Sequence, residues 1–144
     1  MLSRVSITPM LVKHSQLIKF GCVGAAGFVI DYAVFSLAYY VFGLPILNAR
    51  IAAFLVAATS TWYGNRKLTF LQVRYKGNTA LAFKQWQKFM CSALISAIPN
   101  LLVFKLLVDV LPEQGVTTFI AMVVGVLVGM VSNFLFSRYW VFTS

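Results

Sequence analysis

The chain has 144 residues, of which 60% are hydrophobic and only 10% charged, with a net charge of +9 and a mean hydropathy of +0.86. Soluble domains carry about a quarter of their residues as charges, so this composition excludes a water-soluble globule and predicts a chain that lives in a bilayer. In that setting the positive charge reads as a topology signal and not as a nucleic-acid surface.

The first residues hold Arg4, Lys13 and Lys19 ahead of a long apolar stretch. That stretch is too long for a secretory signal and no small-residue cleavage site follows it, so it is expected to be retained as a helix. Thr8 before Pro9 marks a helix start, and Met10, Leu11, Leu17 and Ile18 give the segment an apolar side. A short amphipathic helix on the cytoplasmic membrane surface is predicted there. Apolar stretches follow at 20–42, 47–64, 89–111 and 117–136. At about 1.5 Å per residue each matches a hydrocarbon core of about 30 Å. None shows the period-two alternation of a barrel strand, so the predicted class is all-α integral membrane, with four transmembrane helices. A second amphipathic segment follows Asn78 and Thr79, where Phe83, Trp86 and Phe89 lie three apart among Lys84, Gln85, Gln87 and Lys88.

The chain repeats itself. NRKLTF at 65–70 and SRYWVF at 137–142 each close an apolar stretch; before them Lys19, Phe20, Cys22 and Asp31 recur as Lys88, Phe89, Cys91 and Asn100 at an offset of 69. Three inserted residues move the offset to 72, which aligns Ala49 with Ala121, Arg66 with Arg138 and Phe70 with Phe142. Of the twelve Lys and Arg residues, ten fall on one side of the four-helix arrangement, and only Arg50 and Lys105 fall on the other. Both termini and the central loop are therefore expected to be cytoplasmic. Two helices per repeat then give two parallel repeats within one membrane domain, 1–144: the first at 9–70, a linker at 71–78, and the second at 79–142.

Each span carries small residues running into a polar one: Gly24, Gly27 and Asp31; Ala53, Ala57, Thr61 and Asn65; Ser92, Ser96 and Asn100; Gly125, Gly129, Asn133 and Ser137. Spacings of three or four put each set on one face, which serves close helix packing. The polar members are also candidates for a substrate path: Asp31 and Asn100 near the midplane, with Asn65, Asn133 and Ser137 nearer the cytoplasmic end. A carboxylate at Asp31 costs at least about 2.5 kcal/mol in lipid. It is expected either to grip sugar hydroxyls or a proton, or to hydrogen-bond Asn100. Arg66 and Arg138, with Lys67 beside the first, are candidate phosphate ligands, because guanidinium offers paired donors that match phosphate oxygens. Trp62, Trp86 and Trp140 are placed for an interfacial belt or for stacking on a sugar ring or prenyl chain. Arg50 either holds a phosphate after translocation or snorkels, and the sequence leaves both open. Asp109 and Glu113 read as a solvated loop edge that offsets Lys105. Cys22 and Cys91 lie at the basic end of their helices, where no disulfide is expected.

Enzyme chemistry has little to rest on. One histidine and three carboxylates give no metal cage or acid–base pair, and the glycines of GCVGAAG lack the strand and Lys-Ser/Thr of a phosphate loop. No cofactor, metal or nucleic acid is expected.

Across residues 17–142 the chain resembles the GtrA-like family of small four-helix membrane proteins, through FGCVG at 20–24, Asp31, NRKLTF and SRYWVF. Ser137 stands where that family often has asparagine. The resemblance implies flipping of a polyprenyl-phosphate-linked sugar across the bacterial cytoplasmic (inner) membrane for cell-surface polysaccharide synthesis, with anionic lipids and membrane glycosyltransferases as partners. Four helices enclose a narrow interior, so a homo-oligomer is expected. Two other classes stay open: a proton-coupled small-molecule exporter, and a non-transporting adaptor for a glycosyltransferase.

Overall fold

A computed structural model describes residues 8–71, 78–112 and 115–143, with side chains from Val12 onward. Arg4, Arg74, Lys76, Glu113 and all but the ends of the 71–78 linker lie outside the described residues. The chain divides into two compact units, Met1–Arg74 and Tyr75–Ser144. In the first, α1 (Thr8–Ser36) runs into a π-helical turn, π1 (Leu37–Val41), and α2 (Ile46–Gly64) runs into π2 (Asn65–Thr69). The second holds α3 (Thr79–Val110) and α4 (Gly115–Phe136), the latter ending in π3 (Ser137–Val141). Within the units α1 packs on α2 and α3 on α4. No strand occurs among the described residues.

Among the described residues, three helices are long and apolar enough to cross a membrane: Val12–Val41, Thr79–Val110 and Gly115–Val141. The sequence predicts four. The missing one is α2, whose 19 residues carry Asn48 and Arg50 at one end and Thr59, Ser60 and Thr61 toward the other, which dilutes its apolar character. The separate amphipathic helices are also absent as elements. No glycine or proline separates residue 10 from 20, or 79 from 98, so nothing breaks the hydrogen-bond ladder and the basic segments become the first turns of α1 and α3. Asn78 caps α3, its Oδ1 accepting from Leu81 N–H at 3.2 Å.

The buried face of each long helix is narrow. On α3 it runs through Gln85, Phe89, Ser92 and Ser96, the three-to-four spacing of one helix side. The predicted apolar side of this segment is divided: Phe89 is buried, whereas Phe83 is 58% exposed and stacks on Trp86 with ring centroids 5.6 Å apart. The partner helices bury small residues, Ala49, Ala53 and Ala57 on α2 and Ala121, Gly125 and Gly129 on α4, which lets backbones approach. Large apolar side chains cover the outside, among them Phe28, Val29, Leu101 and Val110. Water would oppose that surface; lipid tails are its fitting solvent. The turn between α1 and α2 is made by Gly43 at φ +64°, the left-handed position that ends a helix.

Candidate functional site

Each unit closes on a π-helical turn, and the two turns have the same internal construction. Phe70 N–H donates to Asn65 C=O and Phe142 N–H to Ser137 C=O, both at 2.8 Å. The first residue of each turn is buried, Asn65 at 1% and Ser137 at 0% exposed. Phe70 and Phe142 then lock the ends by packing edge-on against Phe20 and Phe89, with centroids 6.5 and 6.1 Å apart. Single π turns of this kind recur at functional sites.

The residue after each buried one is the arginine. Arg66 lies over the Trp62 ring with its guanidinium carbon 5.5 Å from the centroid, and Lys67 Nζ lies 5.3 Å from the Tyr63 centroid. In the second unit Arg138 lies 5.7 Å from the Tyr139 centroid, and Lys88 Nζ sits 5.9 Å from that of Trp140. An aromatic face restrains a cation without consuming its hydrogen-bond donors. Each unit therefore ends in cations backed by aromatic rings.

The remaining candidate residues are placed by their own units. Asn65 Oδ1 accepts from Thr69 Oγ1 at 2.8 Å, and Asn133 Oδ1 accepts from Ser92 Oγ. Ser96 and Ser137 hold buried hydroxyls that make no hydrogen bond. Asn100 packs half-buried against α4: a Cβ on Gly125 would meet Asn100 C=O at 2.8 Å, and one on Gly129 would meet Asn100 Cβ at 2.9 Å. Beyond it lies an open groove of about 540 Å³ lined by Asn100, Phe104, Phe119, Met122 and Val126 among others. Asp31 pairs with Arg50, Nη1 to Oδ2 at 3.1 Å, so its carboxylate is held by a residue of its own unit. Lys105 and Asp109 form an exposed pair at 3.1 Å within α3, and Glu113 lies outside the described residues. Cys22 and Cys91 are free thiols. Among the described residues no group of three His, Cys, Asp or Glu side chains is placed to hold a metal ion.

The sequence sets Gln85 among the polar residues of its segment and leaves Gln16 unmarked, yet both are buried, at 3% and 8% exposed. The signal was available, because they too are related by the offset of 69.

Long helices with lipid-suited exteriors and basic, aromatic-backed ends define a multi-pass helical membrane protein. The family described as GtrA/DPMS, transmembrane domain, matches residues 19–142. The chain belongs to that family, which is associated in general with sugar-lipid translocation. No curated protein matches the chain.

Proposed function

We propose that the protein flips a polyprenyl-phosphate-linked sugar across the bacterial cytoplasmic membrane, for synthesis or modification of cell-surface polysaccharide. The observation that carries this reading is the arginine held over an aromatic ring at the π turn closing each unit. Arg66 with Lys67 in the first unit, and Arg138 in the second, each offer a receptor for a lipid phosphate at headgroup level, where anionic lipids also gather. Asn65 and Ser137, enclosed below them, set the turns from which they project, and Asp31 in the first unit and Asn100 and Asn133 in the second supply polar positions for the sugar within their own units. The rings of Trp62 and Trp140 back the cations and offer stacking faces to a sugar.

In this reading α2 crosses the bilayer with α1, giving four spans in two parallel repeats, and both termini are cytoplasmic because ten of twelve basic residues lie on that side. The protein works beside the glycosyltransferases that make and use the lipid-linked sugar, as a homo-oligomer.

The test is a flipping assay in proteoliposomes with a defined polyprenyl-phosphate sugar. Lysine keeps charge but loses the paired donors. The Arg66→Lys, Arg138→Lys double variant is expected to lose roughly tenfold or more in rate, the worth of about 1.4 kcal/mol of charge-assisted hydrogen bonding. Wild-type flipping by that variant overturns the receptor role.

A further inference from the structure

Arg50 stands in the first turns of α2, sixteen residues before Arg66 and therefore about 24 Å from it along the helix. Its Nη1 donates to Asp31 Oδ2 at 3.1 Å, and its guanidinium lies 5.2 Å from the centroid of Phe35. Phe35 in turn stacks on Tyr39 with centroids 5.7 Å apart. The arginine side chain is 54% exposed and that of Asp31 21%. The contact uses one donor and one carboxylate oxygen. A guanidinium carries five donors in a fork that fits two oxygens at once, so most of this one's capacity stays open.

The second unit acts as an internal control. At the offsets that align the units, Asp31 corresponds to Asn100 and Arg50 to Met122, and both of those line the open apolar groove of α3 and α4. The same helix pair thus forms with no charge at either place. A partly exposed ion pair adds little to stability, so packing does not require it here. What the charged version adds is a cation on an aromatic platform with a weak, displaceable partner.

We propose that Arg50 is a second phosphate-binding site, at the opposite end of α2 from Arg66, and that Asp31 is its tethered placeholder, displaced by the phosphate of an incoming lipid. The ligand class is a lipid phosphomonoester or phosphodiester. A tethered carboxylate competes at high effective concentration, so it weakens binding and returns to expel the ligand. The place of this site in a transport cycle rests on the translocation reading above; the binding itself does not.

The experiment measures binding to the purified full-length chain by native mass spectrometry, with farnesyl phosphate and dioleoyl phosphatidic acid as probes. They share a phosphomonoester and differ in the lipid that carries it. Asp31→Asn removes the competitor and leaves the amide that the second unit already holds at Asn100. It is expected to tighten binding about two- to fivefold, the equivalent of an exposed ion pair worth about 0.4 to 1 kcal/mol. Adding Arg50→Gln is expected to erase the gain, and Arg50→Lys to lose most of it. A gain with farnesyl phosphate alone assigns the site to prenyl lipids, and a gain with both probes assigns it to lipid phosphates at large. Unchanged or weaker binding by Asp31→Asn, or a gain that survives Arg50→Gln, overturns the proposal. Where Asp31→Asn fails to fold, Arg50→Gln alone is expected to bind one phosphate fewer, and an unaltered stoichiometry overturns the proposal equally. None of these variants touches Arg66 or Arg138, so failure of the flipping test leaves this result standing, and the reverse.

Discussion

Thr69 and Val141 occupy the same place in the two closing turns, and only the first has a hydroxyl to give. Thr69 donates it to Asn65, whereas Ser137, opposite Val141, keeps a buried oxygen with no partner. Matched substitutions should therefore have unequal costs. Asn65→Ala strips the Thr69 hydroxyl of its acceptor in a buried site and is expected to destabilise by about 1 to 3 kcal/mol. Ser137→Ala removes a hydroxyl that bonds to nothing and is expected to be neutral, or stabilising by up to about 1 kcal/mol. Thermal unfolding in detergent compares the two directly, and equal losses contradict the bonding described. The arginines were legible in the sequence because residue type, spacing and duplication all marked them. The Asn65–Thr69 bond was not, because a spacing of four does not reveal that the turn between them is π-helical.

At the scale of elements, the helices were legible where hydrophobicity is continuous and less so where it is diluted. The apolar stretches 20–42, 89–111 and 117–136 fall, to within one residue, inside α1 with π1, α3 and α4 with π3, whereas α2 is helical but not apolar enough to rank with them. The small-residue stripes were read as packing faces, and the structure divides them. Gly24 has open space where a side chain would stand, while Gly125 has Asn100 C=O at 2.8 Å. Alanine in a helix is otherwise favoured over glycine by about 1 kcal/mol. Gly24→Ala is thus expected to raise the unfolding temperature slightly, and Gly125→Ala to lower it through an overpacking cost of about 1 to 3 kcal/mol. A thermal scan in which Gly125→Ala is as stable as the parent would show that α4 does not approach Asn100 this closely. Which member of a stripe touches its partner depends on how far each helix is rotated, and composition is silent on that.

For the whole molecule, the proposed orientation rests on charge placement and is tested in intact cells. Gly77→Cys is expected to resist a membrane-impermeant thiol reagent added from outside and to react once the membrane is opened, with Cys22 and Cys91 replaced by serine to clear the background. Ready labelling in closed cells would invert the topology. By itself the sequence determined the helical membrane class, the family and the basic ends, since each follows from quantities that add along the chain: apolar length, charge count and motif spacing. Only the tertiary structure decided the partners of the polar residues. Asp31 goes to Arg50, Ser92 to Asn133, and Asn100 into the cradle of Gly125 and Gly129. Pairing across two helices is set by their relative rotation and axial offset, and a difference of one residue turns a side chain by about 100°, which no periodicity read along a single strand of sequence can specify.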